Sequence, residues 1–175
     1  MASELHVDAI KHSGGTSAIT INSSGHVHSA GAVLQVQEGT LTAGSQFSTT
    51  STSLADVGLS VTITPKFSSS KILVLFQGFG GSSGDNTALL IQIQRQIGSG
   101  SFSMITGGGF FYEVGQYESC GLNKLDSPNT TSALTYKLQG QLSSGAAGTG
   151  YLPGGWGGDY NSTGFITLTA QEIAQ

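Results

Sequence analysis

Charge is what this sequence has least of. Lysine and arginine number 6 and aspartate and glutamate 10 in 175 residues, about 9% charged, where an average soluble domain carries roughly 25%. The net charge of -4 leaves no basic field, and a phosphate-backbone partner is found first through such a field, so nucleic acid is excluded as a partner. Cysteine is nearly absent too. Cys120 stands alone, which rules out an internal disulfide framework and any cysteine-rich zinc site. No run approaches the ~18 apolar residues of a membrane span. The opening Met1-Ala2-Ser3-Glu4-Leu5-His6 lacks the basic and apolar regions of a secretory signal. The expectation is a chain made in a cytosol and not secreted by a cleaved signal, without membrane insertion. Helix formers are not grouped into any amphipathic stretch, so parallel α/β folds are excluded as well.

What the chain has instead is glycine, 27 in all, with dense serine and threonine between short apolar runs. Such a composition suits β-structure with many turns. Before residue 32 the pieces are short: Leu5 to Ile10, Ala18 to Ile21 and His26 to His28, broken by Ser13-Gly14-Gly15 and Asn22-Ser23-Ser24-Gly25. Leu5, Val7, Ile10, Ile19, Ile21 and Val27 are too few to make a core in one copy. Three copies around an axis bury them together, as in a trimeric shaft, so residues 1–31 read as a shaft and attachment segment; the alternative is a flexible tail.

Residues 32–175 read as a head. Ala32 to Gln37 is a first strand, and Ser45 to Ser53 suits an edge. Val57, Leu59, Val61 and Ile63 alternate with small polar residues, the period-2 pattern of a half-buried strand. Lys71 to Phe79 is nearly continuous in apolar residues and belongs at a sheet centre. Gly78 to Asn86 reads as a break. Leu89, Ile91 and Ile93 alternate with a face carrying Gln92, Gln94 and Gln96, uncharged amides that pack against a neighbour at low desolvation cost. Gly107-Gly108-Gly109 reads as a turn into an aromatic strand, since no Lys-Ser/Thr pair or helix follows to make a phosphate loop. Asp126-Ser127-Pro128-Asn129 is a turn. Leu134, Tyr136 and Leu138 alternate, and Phe165 to Ile173 closes the chain. The expected fold is all-β, an antiparallel jelly-roll-like sandwich with a short β-rich N-terminal shaft.

Three groups of residues carry chemistry. Tyr151, Trp156, Asp159, Tyr160 and Asn161 lie in a glycine-rich excursion. Aromatic rings beside Asp and Asn stack on a sugar and bond its hydroxyls, which makes them the receptor-contact candidates; the bland alternative is aromatics tucked under the loop or into a subunit interface. His26 and His28 share one strand face, and in a trimer six imidazoles on the axis suit a transition metal. The alternative is exposed or hydrogen-bonded histidines, with no cofactor. Carboxylate pairs such as Glu113 with Glu118, or Asp126 with Asp159, have no reason to meet, and all four histidines precede the head. No catalytic residue is assigned, and the chain reads as a non-enzyme.

His6-Val7-Asp8-Ala9-Ile10-Lys11 followed by Gly14-Gly15-Thr16-Ser17-Ala18-Ile19-Thr20-Ile21-Asn22-Ser23-Ser24-Gly25 resembles the virion-proximal repeat of a family of phage fibre and virion appendage proteins, common in viruses of marine bacteria. The head resembles theirs at three places. These are Leu59 to Pro65 with Ser69 to Ile72, then Leu125-Asp126-Ser127-Pro128 with Thr130 to Tyr136, and finally Ile166-Thr167-Leu168 with Glu172-Ile173. The resemblance implies a homotrimer with a tumour-necrosis-factor-like head, joined by its N-terminus to other virion proteins of tail or capsid. Its expected role is to bind a host glycan or outer-membrane protein. A capsid-attached fibre or decoration of mainly structural duty, and a small polysaccharide depolymerase, are the alternatives.

Overall fold

The computed structural model describes residues 6–21, 23–42, 45–83, 87–112, 117–143, 148–153 and 165–175. They form strands β1 (Ala9–Lys11), β2 (Ser17–Ile21), β3 (Val27–His28), β4 (Val33–Thr42), β5 (Phe47–Thr49), β6 (Ala55–Ile63), β7 (Lys71–Ser82), β8 (Ala88–Ile97), β9 (Ser103–Tyr112), β10 (Tyr117–Asp126), β11 (Leu134–Leu142), β12 (Gly150–Leu152) and β13 (Phe165–Ile173). No helix among them is long and apolar enough to cross a membrane.

Every pairing is antiparallel. The strands β1, β2 and β3 make a small sheet of their own. In the head, one sheet runs β4-β13-β7-β10, with β12 and β5 continuing past the far part of β7. The other runs β6-β11-β8-β9. Eight strands divided this way, with sequential strands crossing between the two sheets, are the connectivity of a jelly roll. The expected fold class is therefore the observed one.

The sheets close on a core that includes Leu59, Ile63, Phe76, Leu89, Ile93 and Tyr136, all nearly or fully inaccessible to solvent. β6 and β11 alternate buried with outward residues along their lengths, the pattern that the sequence carries openly. Of two expected breaks, the one read at Gly78 to Asn86 begins only after Ser82, and the one read at Gly107 to Gly109 is absent. β7 runs on through Gly78 to Ser82, held on both sides by β10 and β12. Gly107 to Gly109 is the inside of β9, not a turn, because a bulge absorbs the glycines without ending the ladder. Gly39 is needed where β4 passes β6, since a Cβ there would run into the carbonyl of Ser60.

The register gives the head two distinct ends. At the near end lie the starts of β4, β7, β9 and β11, the ends of β6, β8, β10 and β13, and the link from β3. The connections β4 to β6, β7 to β8, β9 to β10 and β11 to β13 leave and return at the far end.

Candidate functional site

At the near end the head uses its few charges internally. Arg95 on β8 donates from Nη1 to both carboxylate oxygens of Asp126 on β10, at 2.8 and 2.9 Å. The Tyr136 hydroxyl on β11 donates to Asp126 Oδ2 at 2.8 Å, and the Ser127 N–H to Oδ1 at 3.0 Å. One carboxylate thus ties both sheets together where the core ends. Burial, and then the neighbouring Asp126 charge, push the Tyr136 phenol well above its ordinary value, so it remains a donor. Glu172 is a second buried carboxylate. It accepts from the backbone N–H of Lys66 at 2.7 Å and of Phe67 at 3.3 Å, and from Gln35 Nε2 at 2.6 Å, fixing the turn after β6 to the end of β13. Both clusters are braces with every carboxylate occupied; neither presents a reacting group to solvent.

The N-terminal sheet meets the head at this end. The Gly31 N–H donates to the Ala174 carbonyl at 2.8 Å and the Ala174 N–H to that of Ala32 at 2.9 Å. The His26 ring stands edge-on to Phe67, centroids 6.4 Å apart. His26 lies just before β3, and the side chain of His28 lies outside the described residues. The register sets Ile10 opposite Ile19 and Ile21 opposite Val27, so these four share one face. Ile19 and Ile21 are half-buried, whereas Ile10 is 51% and Val27 50% exposed. Val7, ahead of β1, is also exposed. Leu5 lies outside the described residues.

Of the receptor-contact candidates, Tyr151 is described. It sits at the far end on β12, half-buried, between Ser48 of β5 and Gly81 of β7. Trp156, Asp159, Tyr160 and Asn161 lie outside the described residues, as does Glu113. The ends of β12 and β13 that flank 154–164 are at the far end, opposite the N-terminal sheet.

The outward face of β6-β11-β8-β9 carries Gln92, Gln94 and Gln96 beside Gln139 and Gln141. Gln92 Nε2 donates to Gln139 Oε1 at 3.2 Å. Its ion pair is self-neutralised: Lys137 Nζ is 2.8 Å from Asp56 Oδ2 and lies over the Phe102 ring at 4.3 Å. Burial works to raise the Asp56 carboxyl, but the bonds from Lys137 and the Gly58 N–H outweigh it and hold the group below its ordinary value. Where β9 bulges, Ile91 pairs with Gly109 but Gln92 with Gly107, so Gly108 is the extra residue, at φ +114°. The bulge opens a hollow of about 260 Å³, floored by Gly107 and Gly108, walled by Leu54, Leu90 and Met104 and rimmed by Gln92 and Gln141. Leu54 is 44% and Met104 62% exposed. Sequence reading missed this hollow; the signal was three glycines inside an otherwise strand-like stretch, which marks a bulge as readily as a turn.

No family model and no curated protein matches the chain. Among solved structures, it is similar to a chain of the infectious bursal disease virus Gt strain, at 16% identity and TM-score 0.44, covering 97% of this chain and 43% of that one. A VP2 protein of the same virus, in derived T=1 particles, gives 16% identity and TM-score 0.43, covering 85% of this chain and 39% of that one. The chain spans about two fifths of the length of these chains, and at such superposition the likeness carries no argument about function.

Proposed function

We propose that this chain is a non-enzymatic virion structural protein of a phage, a short trimeric fibre whose head binds a host surface component. The observation that carries the reading is the opposition of its two ends. The N-terminal sheet joins the head at one end, and Tyr151 and the strand ends that flank residues 154–164 lie at the other. An attachment piece and a recognition surface on opposite ends of a rigid sandwich is the layout an adhesin requires.

The N-terminal sheet supports the attachment half. Among the described residues, its face of Ile10, Ile19, Ile21 and Val27 leaves Ile10 and Val27 half exposed, and a small sheet with an apolar face is stable only when packed on something. Two further copies, or a tail or capsid protein, would cover it. The resemblance of residues 6–25 to a virion-proximal repeat points the same way. Bound metal at His26 and His28 is not needed for this reading.

Light scattering on the purified chain tests the trimer: the expected mass is three times 17.8 kDa, and a monomer at micromolar concentration overturns it. Added in excess to host cells, the trimer should block adsorption of the phage. Trp156→Ala should keep the trimer and lose the block, and an unchanged block would remove the 154–164 connection from the contact.

A further inference from the structure

We infer that the glycine-floored hollow on the β6-β11-β8-β9 face is a binding site for one ring of a neutral glycan. The inference rests on the adhesin reading of the head and locates a contact on its open face, toward the far end.

Three observations carry it. The first is how the hollow is made. A bulge with Gly108 at positive φ sets the side-chain-free Gly107 opposite Gln92, and a Cβ at Gly107 would lie 3.1 Å from Gln92 Cβ and 3.5 Å from Met104 Sδ. Glycine in a strand interior forfeits packing and often marks close approach by a ligand or backbone. Among the described side chains, it leaves two large apolar ones, Leu54 and Met104, standing exposed around the hollow.

The second is the chemistry of the rim. A pyranose ring has an apolar C–H face and a girdle of hydroxyls, each both donor and acceptor. Leu54, Leu90 and Met104 suit the former. Gln92 and Gln141 suit the latter, because a glutamine amide offers both functions on one group. The bond to Gln139 uses one N–H of Gln92 and leaves its carbonyl and second N–H in reserve. Among the described residues, the Gln141 amide has no hydrogen-bond partner.

The third is charge. Asp56 and Lys137 cancel each other on this face, and the five glutamines add none. A sialic or uronic acid would find no cation here beyond one already paired, whereas a neutral sugar needs none. The volume of about 260 Å³ falls just short of the roughly 300 Å³ of drug-sized pockets, which fits a single ring.

The full chain contains two methionines, Met1 and Met104, so methyl-labelled methionine puts one NMR signal in the hollow and one at the N-terminus. Methyl glycosides of glucose, galactose and N-acetylglucosamine are titrated in turn. At least one should move the Met104 signal saturably while Met1 stays still. Gln141→Ala should weaken that binding about tenfold, and Gly107→Val should abolish it, with thermal melting confirming that both variants fold. No movement with any of the three overturns the site. So does equal movement with cyclohexanol, which would make the hollow a plain apolar dent. Movement on raising protein concentration alone would show a second copy covering the face, and also overturns it. Adsorption of the protein to host cells with Met104 silent would leave the adhesin reading standing and the hollow refuted. A responsive Met104 in a protein that does not adsorb would do the reverse.

Discussion

The near end of the head and the open face of the β6-β11-β8-β9 sheet each hold an ion pair with the same 2.8 Å separation. They do different work. At the near end the Asp126 side chain is 8% exposed and that of Arg95 21%, with a phenol and a backbone N–H completing the carboxylate's shell. On the open face, Asp56 is 51% exposed. The first pair is fixed in a low-dielectric junction between two sheets, and removing one member leaves the other buried without compensation. The second is screened by water on one side. A chain this poor in charge has placed carboxylates where they brace the two sheets of the head to each other, and on the open face of β6-β11-β8-β9 it carries a self-cancelling pair. That division gives the near end a buried, fully bonded pair and the open face a solvent-screened one.

Removing the near-end carboxylate is the most direct way to break the comparison. Asp126→Ala strands Arg95 and deprives Tyr136 and Ser127 of their acceptor, so a loss of about 3–5 kcal/mol is expected in urea unfolding. A loss under about 1 kcal/mol would mean that the two pairs are alike after all.

Tyr136→Phe is expected to cost less, about 2 kcal/mol near neutrality, because it deletes one bond to a charged acceptor and keeps the Arg95 pair. It also has a distinctive pH signature. The folded phenol is raised above its unfolded value of about 10. The unfolded chain therefore releases this proton first, so the contribution is intact below about pH 10 and is lost as pH rises above it, by up to about 1.4 kcal/mol per pH unit. Urea midpoints on both sides of that value should fall more steeply with pH for the parent than for Tyr136→Phe. Parallel curves would show that the phenol titrates as it does in the unfolded chain.

Much of the head was legible because its strands obey the period of two: β6 and β11 show buried residues where Val57 to Ile63 and Leu134 to Leu138 predict them. The glycines of β7 and β9 were misread as breaks. Glycine permits a turn and equally permits a bulge, and only the neighbouring strand's register decides between them. The near-end brace was half legible. Asp126 and Tyr136 lie ten residues apart in a stretch that the family resemblance singles out, but nothing local announces that Arg95, thirty-one residues earlier, completes it. The hollow was illegible for a related reason, since Leu54, Leu90, Met104 and Gln141 meet only through long-range pairing.

Lys137→Ala, the smallest expected effect, sharpens the comparison from the open side. It removes the 2.8 Å bond to Asp56 and the stacking over Phe102, yet with Asp56 half in water the loss should stay within about 1 kcal/mol. Its direction with pH is fixed by the depressed carboxyl. The folded Asp56 holds its proton less readily than the unfolded residue, so the contribution is present above the unfolded value near 4 and disappears as pH falls through the lower folded value. Parent and Lys137→Ala should therefore differ in thermal midpoint at neutral pH and converge in acid, and added salt should narrow the neutral gap because the pair is open to solvent. A gap as large as that of Asp126→Ala, or one indifferent to salt, would place this pair in the same class as the buried one.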